Sequence, residues 1–375
     1  MKKIIFVPFI DAFGGVERLI VSLAKNLHDE KKNYSVVCFR DSIGLAKYVD
    51  FELDIVCLNP PRNSLLEGWC LGRYFRGALN GEYQALVFDL NGSFYAGMFS
   101  PAGYTLHLTD PPSLLPTDIS KYASSFTGSW SLSALKAELV HRLNKRGVRK
   151  ARRVIAMTNV IRTELQQRYG VDAVVVRPGI DVSEESSDKG RNPDEFRFLS
   201  VCRLEDNKRI DWMLTALSQL ECMTPSLGSR VNWFLDIVGS GPNESSLRSM
   251  AQSLGLGNRV VFHGRVSDGE LNRIYSQAGM FLMPAVQGYG LPALEALSRG
   301  VPVVMHQDSG VSEILGGSPW VSILSDDGGS ALAAKIDFLL NRISNGELIP
   351  DNQPAIPTDH GWAKEINEVW ISNDK

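Results

Sequence analysis

Strand-length runs that are nearly all apolar recur along the whole chain, each followed by a stretch of helical period, and no other feature constrains the fold as much. The first series reads KIIFVPF, YSVVCF, DIVCL, YQALVFDL, YTLHLT, RVIAMT and AVVVRPG, and the second FRFLSVCRL, VNWFLDIVG, RVVFHGRV, MFLMPA and VPVVMH. A strand with one wet face alternates apolar and polar residues. Strands without that alternation belong in parallel sheets covered by helices on both faces. The expectation is therefore an α/β chain with two doubly wound sheets, which suits 375 residues better than one core does.

The boundary falls in RPGIDVSEESSDKGRNPDEF, residues 177 to 196, where Pro, Gly, Ser and charge replace apolar periodicity. This predicts domains over 1–178 and 179–356. A tail over 357–375 is expected to form a helix opening near Asp359, with Trp362, Ile366, Val369 and Trp370 as its apolar side, packing back toward the N-terminal domain. Ligands of doubly wound sheets bind outside the carboxyl ends of the strands, so the loops after strands are where a site is sought, in a cleft between the two sheets.

The net charge of -3 conceals an asymmetry. Residues 1–178 hold 23 Lys and Arg against 16 Asp and Glu, leaving 16 against 26 for the rest. Much of the excess lies in KAELVHRLNKRGVRKARR, residues 136–153, where only Glu138 opposes eight basic residues. Two readings stand: a solvated helix face, or contact with anionic lipid headgroups. Nucleic acid is not expected, since that run lacks aromatic interleaving and the chain shows no recognisable binding module. Cysteines 38, 57, 70, 202 and 222 form an odd set without CxxC spacing, which fits a reducing cytosol rather than a disulfide framework or a zinc cage. The opening MKKIIFVPFI reads as a buried first strand, since Asp11 interrupts it and no A-x-A site follows. No apolar run reaches the ~18 residues of a membrane span.

Among the loops, IDAFGGVERLIVSLA places Gly14 and Gly15 at a helix N-terminus, where backbone amides can approach an anion. In IVGSGPNESSL, Gly239 and Gly241 give G-x-G, but Glu244 stands where a dinucleotide fingerprint needs its third glycine, so a nicotinamide cofactor is not expected. VCRLEDNKRIDWMLTAL sets Arg203 just beyond a strand and Lys208 near the next helix. Two such cations are either plain surface charges or preorganised partners for a diphosphate leaving group. In QGYGLPALEALSRGVPVV, Pro292 suits the first turn of a helix and Glu295 follows with apolar neighbours. A carboxylate there needs partners. It can cap its own helix, or grip vicinal hydroxyls such as those of a ribose.

GYGLPALEALSRGVPVV resembles the donor-binding segment of the retaining GT-B glycosyltransferases of family four. RPGIDV, VCRLEDNK, IVGSGP, VVFHGRVSDGELNRIYSQAGMFLMPA and the early GGVERLIVSLA are similar to that family's landmarks in the same order. The resemblance implies a GT-B fold, two Rossmann-like doubly wound domains facing an interdomain cleft. It further implies that Glu295 binds the nucleotide ribose, that Arg203 and Lys208 neutralise the diphosphate, that amides around Gly290 and Leu291 receive phosphate and sugar oxygens, and that Val266 lies where the base is held. Gly14 and Gly15 would line the phosphate or acceptor side, and His107, in YTLHLTDPP, corresponds to an active-site histidine near the donor sugar.

One departure matters. The family shows two glutamates separated by seven residues, and the first position here holds Gln287, which can orient a sugar hydroxyl but carries no charge. With no Asp-x-Asp in the chain, neither a metal nor any other cofactor is expected. The expected reaction moves a hexose, mannose or similar, from a nucleoside diphosphate sugar to a hydroxyl with retention. The leaving phosphate accepts the acceptor's proton, His107 positions the donor sugar, and closure about the linker near residue 180 and the tail helix excludes water. The basic N-terminal half and WCLGRYFRGAL, residues 69–79, suit a glycan or polyprenyl-diphosphate-linked glycan acceptor. That places the chain in O-antigen, capsule or other envelope lipopolysaccharide and polysaccharide synthesis, in the cytoplasm or peripheral on the inner face of the membrane. Alternatives are a catalytically silent nucleotide-sugar or glycan-binding subunit, and a nucleotide-sugar epimerase or phosphorylase.

Overall fold

The computed structural model describes residues 2–78, 83–100, 103–113, 130–181, 192, 194–223 and 232–371. It divides into two compact units, Met1–Gly179 with Pro357–Lys375, and Ile180–Ile356. The first contains β1 (Lys2–Phe6), β2 (Phe9–Ile10), α1 (Gly15–Asp29), β3 (Tyr34–Cys38), β4 (Arg40–Asp41), β5 (Ile55–Cys57), α2 (Ser64–Ala78), β6 (Tyr83–Phe88), α3 (Asp89–Phe99), β7 (Thr105–Leu108), α4 (Trp130–Lys150), β8 (Arg153–Ala156), α5 (Asn159–Tyr169) and β9 (Val174–Val175). The second contains β10 (Glu195–Val201), α6 (Ile210–Met223), β11 (Asn232–Val238), α7 (Glu244–Ser253), β12 (Val260–Gly264), α8 (Asp268–Gln277), β13 (Met280–Met283), α9 (Leu291–Ser298), β14 (Val303–His306), α10 (Ser312–Leu315), β15 (Val321–Leu324) and α11 (Gly329–Ser344). The closing helix α12 (Asp359–Ile371) returns to the first unit.

Both large sheets are parallel, in the orders β5-β3-β1-β6-β7-β8-β9 and β12-β11-β10-β13-β14-β15. In each, the chain lays strands outward on one side of its first strand and then crosses to the other side, which makes a topological switch between β1 and β6 and between β10 and β13. The apolar runs explain the burial: Ile4, Ile5 and Phe6 of β1, and Phe281 and Leu282 of β13, are wholly enclosed because helices cover both faces. All twelve runs singled out in the sequence contain strands of these sheets. The sixth strand of the second sheet, β15, is an addition. It has four residues, one of them Ser322, too short for a period to show.

α1 presents Leu19, Ile20, Leu23, Ala24 and Leu27 as one buried stripe, and α12, which packs against α1, buries Trp362, Ala363, Ile366 and Trp370. Burying each large side chain on that face contributes roughly 1.5–3 kcal/mol. Asn367 rather than Val369 completes the buried side, because a polar chain runs through it: Lys3 Nζ donates to Asn367 Oδ1 at 2.7 Å, and Asn367 Nδ2 donates to Asn26 Oδ1 at 2.8 Å.

Candidate active site

The loops after β10 and β13 leave the second sheet at its switch, where a doubly wound sheet opens a crevice. They are tied to each other. Val286 N–H donates to Asn207 O at 2.9 Å, Asn207 Nδ2 donates to Val286 O at 3.1 Å, and Lys208 Nζ donates to Gln287 Oε1 at 2.6 Å. A short 3-10 turn over Asp206–Lys208 carries the ammonium to that position. The other end of the Gln287 amide is fixed as well, with Nε2 3.2 Å from Ser309 Oγ and 3.0 Å from Met283 Sδ. Backbone bonds from Gln287 to Asp308 and Gly310 add the loop after β14 to the group.

Gly290 then caps α9 at a φ of 121°, and a Cβ there would lie 2.8 Å from Gln287 Nε2 and 2.9 Å from Met283 Cε. Both the backbone angle and the space demand glycine. Leu291 opens the helix at the positive end of its dipole; Pro292 has no N–H, and Ala293 N–H donates to Gly290 O at 3.1 Å. Glu295 stands one turn in, half-buried, and one of its oxygens accepts the Tyr275 hydroxyl of α8 at 3.0 Å. Arg299 braces the pair, its guanidinium over the Tyr275 ring and its Nη1 2.9 Å from Glu295 O.

Lys208, Gln287, Gly290, Leu291 and Glu295 are thus gathered on two loops and one helix. Arg203 starts the first of these loops but is 69% exposed at its side chain and ion-paired to Glu205. Val266 lies elsewhere along the sheet, half-buried in the loop after the edge strand β12 and just before Ser267, the N-cap of α8.

Gly239 and Gly241 turn out to serve packing. A Cβ on Gly239, whose φ is 128°, would sit 1.9 Å from Cys202 O, and one on Gly241 would sit 2.4 Å from Leu204 O. The glycines let the loop after β11 press on the loop that carries Arg203. Gly239→Ala is therefore expected to destabilise the protein by roughly 2–5 kcal/mol, from a forbidden backbone angle and a backbone clash together, read as a lower urea midpoint at unchanged slope.

In the first unit, Gly14 and Gly15 do open α1, but the Gly14 amide is occupied by Glu17 Oε2 at 2.9 Å, so a phosphate there would have to displace the chain's own carboxylate. His107 is 0% exposed. Its ring centroid lies 4.9 Å from Phe88 and 5.9 Å from Trp362, neither ring nitrogen has a hydrogen-bond partner among the described residues, and burial lowers its pKa to about 3. In this structure the imidazole is neutral and presents no nitrogen to solvent.

Residues with chemical potential that the sequence did not announce are Tyr275, Ser309 and Asp89. Asp89 follows β6 at that sheet's own switch, with a φ of 62°, and one of its oxygens accepts both the amide, at 3.1 Å, and the hydroxyl of Thr109. Burial pushes its carboxyl up to about 7. Read as the last polar letter of a strand, YQALVFDL, it gave no signal of its own.

The profile of the family Glycosyl transferases group 1 matches residues 181–343, and that of Glycosyltransferase Family 4 matches residues 13–184. The chain belongs to the family-four type of GT-B glycosyltransferases. It is 33% identical over 153 residues to a GDP-mannose-dependent alpha-(1-6)-phosphatidylinositol monomannoside mannosyltransferase of Mycobacterium tuberculosis, a match covering 38% of this chain and 38% of that one. The matched stretch is thus well under half the length of that relative. An uncharacterised glycosyltransferase of Haemophilus influenzae is 24% identical, over 98% of this chain and 99% of its own. Among solved structures, Anabaena HepE in complex with UDP-glucose superposes with a TM-score of 0.70 at 18% identity, covering 99% of this chain and 95% of that one. The two Rossmann-like halves are those of the GT-B fold.

Proposed function

We propose that the protein is a metal-independent retaining hexosyltransferase that uses a nucleoside diphosphate sugar. The observation that carries this reading is the Lys208–Gln287 hydrogen bond, which holds an ammonium on a side chain packed against Gly290, the N-cap of the helix that carries Glu295. A sugar-bearing diphosphate needs three things: positive charge for its phosphates, amides for the oxygens that charge cannot reach, and an acceptor for the ribose hydroxyls. Lys208 with Arg203, the amides of Gly290 and Leu291, and Glu295 supply them in that order. Tyr275 holds one Glu295 oxygen and so fixes the carboxylate that would meet the hydroxyl pair.

As the anomeric bond breaks, charge accumulates on the leaving phosphate, and cations already in place stabilise it without reorganisation. That phosphate then accepts the proton of the attacking hydroxyl on the same face of the sugar. Gln287, whose amide is pinned at both ends, orients and does not ionise. His107 is assigned a packing role under the carboxyl end of β7. The relatives named above include one that uses GDP-mannose and one bound to UDP-glucose, so mannose or glucose-type hexoses are the donors to try. The acceptor is proposed to be a lipid-linked glycan of envelope polysaccharide synthesis, met at the inner face of the cytoplasmic membrane.

The test is a thermal-shift screen of UDP, GDP, ADP and CDP, in which the preferred nucleotide raises the Tm in proportion to occupancy, followed by assay of diphosphate release. Binding of one nucleotide and acceptor-dependent release are expected. Gln287 favours a second reading, a silent donor-binding subunit, which binding without release for every lipid-linked glycan tried would establish. Failure of all nucleotides to bind would end both readings.

A further inference from the structure

The outward side of α2 is unusual for a protein surface. Arg62, just before the helix, is followed at helical spacing by Leu65, Leu66, Trp69, Arg73 and Arg76, and all six are exposed, Leu65 by 63% and Trp69 by 48%. Three large apolar side chains on one turn and a half of helix form a contiguous patch, and such patches mark interaction sites. The inward side of the same helix is fully used. Leu71 and Phe75 are buried in the core, and Glu67, the one acid of the helix, receives Arg40 Nη2 at 2.7 Å and the Tyr95 hydroxyl at 2.9 Å. The exposed positions of residues 61–77 therefore carry three arginines and no acid.

The basic run on α4 is different. Arg142 pairs with Glu138 at 2.6 Å, Arg149 donates to Tyr169 O at 3.0 Å, and Lys150 donates to Ser100 O at 2.9 Å at the end of α3. Arg149 and Lys150 thus spend their charge on closing the fold, and Leu139 is the one large apolar side chain among the described residues of α4 that stands exposed.

We propose that α2 lies in the headgroup layer of an anionic bilayer, with Leu65, Leu66 and Trp69 inserted and Arg62, Arg73 and Arg76 at the phosphates. This deepens the membrane part of the reading above. The occupant follows from charge and shape together: an apolar stripe flanked by cations on a helix matches an interface that is oily beneath and negative on top. Trp69 suits the boundary itself, since its ring is amphipathic, and the Arg73 guanidinium, 5.7 Å from the ring centroid, is already held beside it. Leucines on a surface that met only water would be a solubility cost with no return.

The experiment uses the full chain, without donor, and vesicles of phosphatidylglycerol and phosphatidylcholine in a one-to-two ratio, against vesicles of phosphatidylcholine alone. Co-sedimentation is expected with the anionic vesicles at low salt and hardly at all with the neutral ones. Leu65→Ser/Leu66→Ser/Trp69→Ser should weaken binding by more than about 10-fold, and Arg73→Gln/Arg76→Gln by about 5-fold per arginine with a flatter salt dependence. Arg142→Gln/Arg146→Gln, on α4, should change it by less than about 3-fold. Circular dichroism and the Tm of each variant report its fold, and the nucleotide thermal shift of the triple variant should match wild type, so loss of donor binding is told apart from loss of lipid binding. Equal binding to both vesicles, wild-type binding by the triple variant, or loss on the α4 variant alone would overturn the proposal. So would a dimer in sedimentation velocity that the triple variant abolishes, because the patch would then be covered by a second copy.

Discussion

Lys208→Ala is expected to lower kcat/KM for the nucleotide-sugar donor by about 10²- to 10³-fold, the largest single loss at the proposed site, with little change in Tm. The ammonium is half-buried and has its position set by a 3-10 turn and by Gln287, so it meets a phosphate with little side-chain freedom left to lose. Because the charge on the phosphate grows as the anomeric bond breaks, kcat should fall more than KM rises. Arg203→Ala is expected to lose only about 10-fold, since an exposed guanidinium already paired with Glu205 is screened by water and salt. Gln287→Glu has an informative sign. A carboxylate 2.6 Å from Lys208 would form an ion pair that competes with the donor's diphosphate, so donor affinity should fall while transfer continues. A gain of turnover instead, measured as diphosphate released per enzyme, would mean that the glutamine had silenced the chain.

The strands were legible because a short run that is nearly all apolar has few alternatives: it lacks the alternation of a strand with one wet face, and it is too short for a helix. β15 escaped since four residues, VSIL, sit among other apolar letters with a serine inside. The separation of Arg203 from Lys208 and of Gln287 from Glu295 was visible as spacing, yet the contact that joins the two pairs spans 79 residues of sequence and depends on the order in which strands are laid into the sheet. No local pattern encodes that. The same limit hid Tyr275, whose ring is buried like any core aromatic while its hydroxyl reaches Glu295 from another helix. Gly239 and Gly241 illustrate the converse. Their G-x-G falls short of a dinucleotide fingerprint, and the space a side chain would need is filled by the backbone of Cys202 and Leu204. For His107, the residue type drew attention, whereas the environment was set by Phe88 and by a tryptophan 255 positions later in the chain.

His107→Leu is expected to make the protein more resistant to acid. The ring is fully enclosed and its pKa falls from 6.5 to about 3 because burial penalises the charged form. Between those values the unfolded chain binds a proton that the folded chain does not, so stability is fully present above pH 6.5 and is lost as pH falls toward 3. Each pH unit in that window removes about 1.4 kcal/mol, or at most about 5 kcal/mol in all, a third or more of the net stability of an ordinary domain. Leucine has nearly the same volume, does not titrate, and removes two buried nitrogens that lack partners among the described residues, so at pH 8 the variant should lie within about 1.5 kcal/mol of wild type. Carboxylates held down by arginine, such as Asp172 beside Arg162 and Glu270 beside Arg273, also lose stabilisation in acid, but they do so in both proteins and cancel in the difference. Urea unfolding at pH 8 and pH 5 should therefore show wild type losing about 2 kcal/mol more than His107→Leu. Parallel losses would mean that the imidazole reaches water in solution.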